Sequence, residues 1–176
     1  MIKLMNGRGQ LGDVLTKELN NYSDVKEDIY IYHTWRLDTK DYEEQFNEFE
    51  KFKNFVDEHR DYRIIFISTS SIRDTWYVHF KQLSESYLLN ECKNCLVIKL
   101  PTFIGNHCDM FSIEKLKSGD VKPYGTMEII SIEDVVDKIY ELCNYNGKLK
   151  IIDVGGEKVS AELLYNVYKK MGIVNE

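Results

Sequence analysis

Residues 1–15, MIKLMNGRGQLGDVL, decide how the rest of the chain is read. An apolar run of strand length, MIKLMN, leads into Gly7, Gly9 and Gly12, and Leu11, Val14, Leu15 and Leu19 then fall on one face of a helix over residues 10–20. Between a strand and a helix, the pattern G-x-G-x-x-G has a physical meaning. Glycine lets the backbone turn tightly and lets a pyrophosphate approach where a Cβ would stand. The helix start then offers free N–H groups and a partial positive charge to the phosphates. Gly12 would let helix and strand pack closely. A plain strand-to-helix turn is the simpler alternative, and three glycines in so short a stretch make it the weaker one. The turn predicts a dinucleotide site framed by Gly7, Gly9 and Gly12.

The alternation continues along the chain. DIYIYH (28–33) reads as a second strand, and residues 41–59 place Tyr42, Phe46, Phe49 and Phe55 at helical spacing, a stripe expected to face the core. RIIFIS (63–68), a helix over 74–90 and CLVIKL (95–100) follow. A helix near 133–143 with Ser131 as its cap, the strand KLKIIDV (148–154) and the helix SAELLYNVYKKM (160–171), capped by Ser160, complete the order. Short, continuously apolar strands between amphipathic helices indicate a mostly parallel sheet covered on both faces. The expected fold class is α/β, doubly wound, in one domain over residues 1–176. An acidic residue normally ends the second strand of a dinucleotide fold and holds the adenosine ribose. Here that strand ends YHTWR, with no carboxylate before Asp38, and Arg36 tilts the expectation toward NADP over NAD.

Composition narrows the function classes. A content of 43% hydrophobic and 30% charged residues fits an ordinary globular domain, and the longest apolar runs are too short to span a bilayer. The net charge of −6, with no basic stripe, argues against nucleic acid as a partner. The start of the chain lacks the apolar core of a secretory signal, so a cytoplasmic setting is expected. Cys92-x-x-Cys95 followed by His107-Cys108 is a zinc-like spacing, but CLVIKL separates the two halves by a strand, over about 20 Å. No metal site is expected, and the cysteines read as small hydrophobes or idle thiols.

Three Y-x-x-x-K pairs occur, Tyr22/Lys26, Tyr77/Lys81 and Tyr165/Lys169. Only Tyr77 and Lys81 lie on the helix that follows the serine-rich strand FISTSS (66–71), and residues four apart share a helix face. With GQLG (9–12), Glu85, VIKLPTFIG (97–105), SIEDVVDKI (131–139) and IIDVGGEKVSAELL (151–164), the chain resembles the short-chain dehydrogenase/reductase superfamily. The likeness is to its extended branch of NAD(P)-dependent epimerases, dehydratases and 4-keto reductases, and GQLG is similar to the turn of dTDP-4-dehydrorhamnose reductases. The motifs run in family order along nearly the whole chain.

The resemblance implies a Rossmann-like fold, an NADP or NAD cofactor and a nucleotide-sugar substrate. It implies cofactor contacts from Gly7, Gly9, Gln10, Leu11, Gly12, Arg36, Ser68, Lys81 and Pro101. Tyr77 is expected as acid/base, with Lys81 drawing its pKa down toward working pH. Ser70 is expected to orient the substrate oxygen, with Thr69 or Ser71 as alternatives. His79, inside the same helix, is expected to be exposed. A homodimer through the Tyr77 helix, which also carries Trp76, Phe80 and Tyr87, is implied as well.

Two departures from the family stand out. Between DIYIYH and RIIFIS there is room for one helix where the family inserts further βα units, so a smaller sheet is expected. Ser70 and Tyr77 are only seven residues apart, and the substrate region, about 101–176, is compressed. The alternative function is a relative that keeps the fold, and the dinucleotide or sugar nucleotide, without chemistry. An unrelated flavodoxin-like protein is the third reading.

Overall fold

The structure is a computed structural model, and it describes residues 1–5, 9–19, 28–36, 41–105 and 124–171. In chain order the elements are β1 (Ile2–Met5), α1 (Gly9–Leu19), β2 (Ile29–Tyr32), α2 (Tyr42–His59), β3 (Arg63–Thr69), α3 (Trp76–Glu91) and β4 (Cys95–Leu100). Then come β5 (Thr102–Ile104), β6 (Thr126–Ser131), α4 (Ile132–Cys143), β7 (Ile151–Asp153), β8 (Glu157–Ser160) and α5 (Ala161–Lys170).

Five of these strands form one parallel sheet in the order β1-β2-β3-β4-β7. Successive side chains of a strand point to opposite faces, and the core divides accordingly. Ile29, Ile31, Ile65, Ile67 and Ile98 pack under α1 and α4 with Leu11, Leu15, Val135 and Ile139. Tyr30, Tyr32, Ile64, Phe66 and Val97 pack under α2 and α3 with Phe52, Phe55, Val56 and Leu88. Burial on both faces is why β2, β3 and β4 read as unbroken apolar runs. The fold is α/β and Rossmann-like, with helices on both faces of a small parallel sheet.

The helix caps follow the sequence. Ser131 Oγ accepts from Asp134 N at 3.0 Å, and Ser160 Oγ accepts from Leu163 N at 3.3 Å. Asp41 and Thr75 cap α2 and α3 in the same way. The far end of α4 is tied to the sheet: buried Arg63 donates from Nη2 to Leu142 O at 3.2 Å and to Tyr145 O at 2.6 Å. Those carbonyls lie where a helix leaves its last acceptors unpaired.

The aromatic stripe of α2 divides along its length. Phe49 and Phe55 are buried, while Tyr42 and Phe46 remain 48% and 39% exposed. Tyr42 packs edge-on against Trp76 (4.9 Å) and Phe80 (5.4 Å), so this end meets the first turn of α3 instead of the sheet. Among the described residues, no helix is long and apolar enough to cross a membrane, and no three His, Cys, Asp or Glu side chains gather as metal ligands. His107 and Cys108 lie outside the described residues.

A second sheet joins β5, β6 and β8, with β5 parallel and β8 antiparallel to β6. At its closest approach there is no room for a side chain on Gly156, where an added Cβ would stand 2.5 Å from Ile129 O. Gly156→Ala is expected to destabilise the protein by about 1–3 kcal/mol, the usual cost of overpacking. Thermal denaturation of the two proteins side by side checks this.

Candidate functional site

The helices that follow the adjacent strands β1 and β2 lie on opposite faces of the sheet, which makes the carboxyl ends of these strands a switch point. That is where open parallel sheets take their ligands. The β1 side of the crevice starts at Gly9, whose φ of +80° is a conformation other residues rarely adopt, and no atom stands within 4 Å of a Cβ placed there. The first N–H groups of α1, from Gly9 to Gly12, have no partner inside the helix. Gly12 is buried, and its carbonyl accepts from Thr16 Oγ1 at 2.7 Å. Leu11, expected at the cofactor, sends its side chain into the core under α1, leaving only its backbone for the site. Gln10 lies in the first turn of α1, and Gly7 lies outside the described residues.

The β2 side starts at His33, which the sequence reading passed over. Its Nε2 is buried without a hydrogen-bond partner. Burial pushes its pKa down to about 4, aided by the Lys81 ammonium and opposed by Asp13 of α1, so the ring is neutral at physiological pH. Thr34 Oγ1 donates to Met5 O at 2.8 Å and ties the two strand ends together. Trp35 Nε1 donates to the buried Gln45 Oε1 at 2.7 Å. A histidine directly after a strand, beside a glycine turn, is the signal that could have found this site. Arg36 is placed differently from expectation. Its Nη1 lies 3.7 Å from Glu44 Oε1, and β2 pairs between β1 and β3. In the usual order 3-2-1-4-5-6 the ribose-reading second strand lies on the other side of β1.

The third wall is the end of β3 with the start of α3. The Thr69 hydroxyl lies beside the Tyr77 phenol and works to lower its pKa, and Ser71 N donates to Thr69 Oγ1 at 3.1 Å. Ser70, the residue first expected beside the tyrosine, donates instead to Asp153 Oδ1 at 2.8 Å and belongs to the β7 end. Thr69, one of the two alternatives, is the residue that meets Tyr77. Ser68 is buried and donates to Glu85 Oε1 at 2.5 Å, while Glu85 Oε2 pairs with Lys99 Nζ at 2.9 Å. Ser68 is thereby committed inside the protein and not toward a cofactor. Pro101 is buried at the β4–β5 junction. His79 is exposed, as expected.

Lys81 lies one turn after Tyr77 and is 2% exposed. Its Nζ donates to Ile67 O at 2.8 Å and stands over the rings of Phe66 (4.5 Å) and Trp35 (4.6 Å). Burial lowers its pKa to about 7 against the pull of Glu85 and Glu48. The Tyr77 pKa is raised by burial, with only the Thr69 hydrogen bond working the other way. The expectation that Lys81 draws the phenol down is therefore not met, because the ammonium is spent on a carbonyl and two aromatic faces. Tyr77 stays protonated at neutral pH.

The lysine makes stability depend on pH with a definite sign. Unfolded, Lys81 holds its proton up to the ordinary value of 10.5; folded, it releases it near 7. Between these values the unfolded state binds more protons, so stability rises with pH. Lys81→Met is expected to flatten that rise, as measured by denaturant titrations between pH 7 and 10.

No family model matches the sequence, and no curated protein matches it. Solved structures do match in shape. UDP-N-acetylglucosamine 4-epimerase from Bacillus cereus superposes with a TM-score of 0.74 at 12% identity, over 99% of this chain and 82% of that one. The dTDP-4-dehydrorhamnose reductase from Bacillus anthracis, in complex with NADP, gives the same four values. The Bordetella bronchiseptica enzyme WbmG, in complex with NAD and UDP, reaches 0.70 at 14% identity, over 97% and 78%. The fold expected from the glycine turn and the strand pattern is the fold these enzymes share.

Proposed function

We propose that the chain is a compact NAD(P)-dependent oxidoreductase or epimerase acting on a nucleotide-linked keto-sugar. The observation that carries this is Thr69 beside Tyr77 at the end of β3, on the same carboxyl edge of the sheet as Gly9 and His33. The fit to a dinucleotide rests on two features. Gly9 leaves open space where a side chain would stand, and the buried His33 Nε2 has no protein partner. The similar reductase and WbmG carry NADP and NAD, and WbmG also carries UDP.

Gly9, the N–H groups of α1 and His33 would hold the cofactor, which supplies the hydride when bound. Tyr77 keeps its proton at Oη and gives it to the substrate oxygen as that oxygen gains charge. The Thr69 hydroxyl, fixed by Ser71 N–H, orients the same oxygen, the role first expected of Ser70. A second reading, binding without chemistry, is favoured by one fact: Lys81 Nζ is turned to Ile67 O and aromatic rings.

A screen of UDP- and dTDP-linked keto-sugars with both reduced cofactors separates the readings. Turnover that falls by about 100- to 10,000-fold in Tyr77→Phe, with cofactor affinity kept, supports the enzyme. Turnover untouched by Tyr77→Phe contradicts the mechanism, and cofactor binding with no turnover of any sugar nucleotide favours the second reading. The chain pairs with a second copy through α2 and α3, where Trp76, Tyr42, Phe46 and Leu83 are 39–48% exposed. Sedimentation is expected to give a dimer that Trp76→Glu converts to monomer.

A further inference from the structure

We infer that Cys92 and Cys95 form a modification site at which hydrogen peroxide joins the two thiols as a disulfide. Cys92 closes α3 as its C-cap and Cys95 opens β4, so the pair stands at the two ends of the turn Lys93–Asn94. This is the amino edge of the parallel sheet, the edge opposite Gly9, His33 and Tyr77. The site is independent of the cofactor reading.

All three described cysteines are buried, Cys92 and Cys143 at 2% exposure and Cys95 at 6%, and all three are free thiols. Burial by itself disfavours a thiolate. Cys143, packed in the core under α1 and α4, follows that rule: burial pushes it up to about 11, with only Arg63 pulling the other way. Cys92 moves down instead. The Cys95 thiol beside it, the Asn94 backbone and the Lys150 ammonium favour its charged form against burial and Asp61. Cys95 moves up, first because of Cys92 and then by burial. One sulfur is thereby prepared as a nucleophile while its neighbour keeps its proton, which is the division of roles in a redox-sensing dithiol.

The layer of chain over the pair is thin. Cys92 Sγ faces the carbonyls of Arg60, Tyr62 and Asn94 at 3.5, 3.6 and 3.6 Å, and all three of those residues are exposed. Cys95 Sγ faces Cys92 O at 3.0 Å, which holds it over the Cys92 end of the turn. The Lys150 ammonium donates to Lys93 O of the same turn, so a positive charge stands beside the pair. A thiol is a weak donor, and these carbonyls lose little when the S–H groups go. Burial also selects the oxidant: hydrogen peroxide, little larger than water, reaches sulfurs that a peptide disulfide does not.

The chemistry balances in two steps. The Cys92 thiolate attacks one peroxide oxygen; the O–O bond breaks, and the departing hydroxide takes up the Cys92 proton as water. Cys92 is then a sulfenic acid. The Cys95 sulfur attacks the Cys92 sulfur; the S–O bond breaks, the S–S bond forms, and the leaving hydroxide carries off the Cys95 proton as a second water. The two thiols have lost two electrons and two protons, and the peroxide has been reduced to water.

Peroxide treatment of the folded full chain at neutral pH, followed by unfolding, alkylation and mass spectrometry of its peptides, tests this. The expected product is a peptide carrying Cys92 and Cys95 that escapes alkylation, lacks two hydrogens and regains both thiols with dithiothreitol. It is expected to form at least about tenfold faster than the Cys143 thiol is lost. In Cys95→Ser the Cys92 sulfenic acid is expected to persist and to be trapped by dimedone, whereas Cys92→Ser leaves Cys95 a thiol. Met171, which is 65% exposed, gauges the dose. The inference is overturned if Cys92 and Cys95 are both still alkylated once Met171 is oxidised, or if the disulfide maps to Cys108 or Cys143.

Discussion

The routing of two neighbouring connections governs this molecule. β1 and β2 are hydrogen-bonded along their whole length, yet the helix after one lies above the sheet and the helix after the other lies below it. Open parallel sheets take their ligands at such a switch point, at the carboxyl edge of the sheet. Gly9 at φ +80° starts the helix after β1, and His33, with its Nε2 buried and without a partner, follows β2. The catalytic candidates are brought to the same edge because β3 is the next strand along.

Behind that edge lies a buried polar layer. Lys81, Glu85, Ser68 and Lys99 form a linked set between α3 and the sheet, with Gln45 and Glu48 buried nearby on α2. Desolvated charges cost several kcal/mol unless they are paired and hydrogen-bonded. Each member here has a partner, and the lysine also gains from two aromatic faces.

The fold was largely legible because its strands are buried twice over. β2, β3 and β4 show unbroken apolar runs, and Ser131 and Ser160 sit at their helix starts as the spacing says. β5, β6 and β8 carried no such signal, since they are short and partly exposed and draw their order from pairing with one another. The site was harder to read for physical reasons. In S-T-S-S a shift of one residue reverses the face, and only the positions of Tyr77 and Asp153 tell Thr69 from Ser70. Arg36 was read as though the second strand lay outside β1, and strand order is a non-local property. The depressed phenol expected from Lys81 failed because sequence spacing fixes a shared helix face and not the direction of a long side chain.

The central claim is that a nicotinamide dinucleotide lies across the crevice between β1 and β2 with its reactive ring at Tyr77. The measurement that tests it most directly is a crystal structure of the protein grown with saturating NADH. The account predicts phosphate density over Gly9 and the first turn of α1, and the nicotinamide ring between His33 and the Tyr77 phenol. Cofactor density at any other place on the molecule, with this crevice filled by solvent alone, would contradict it.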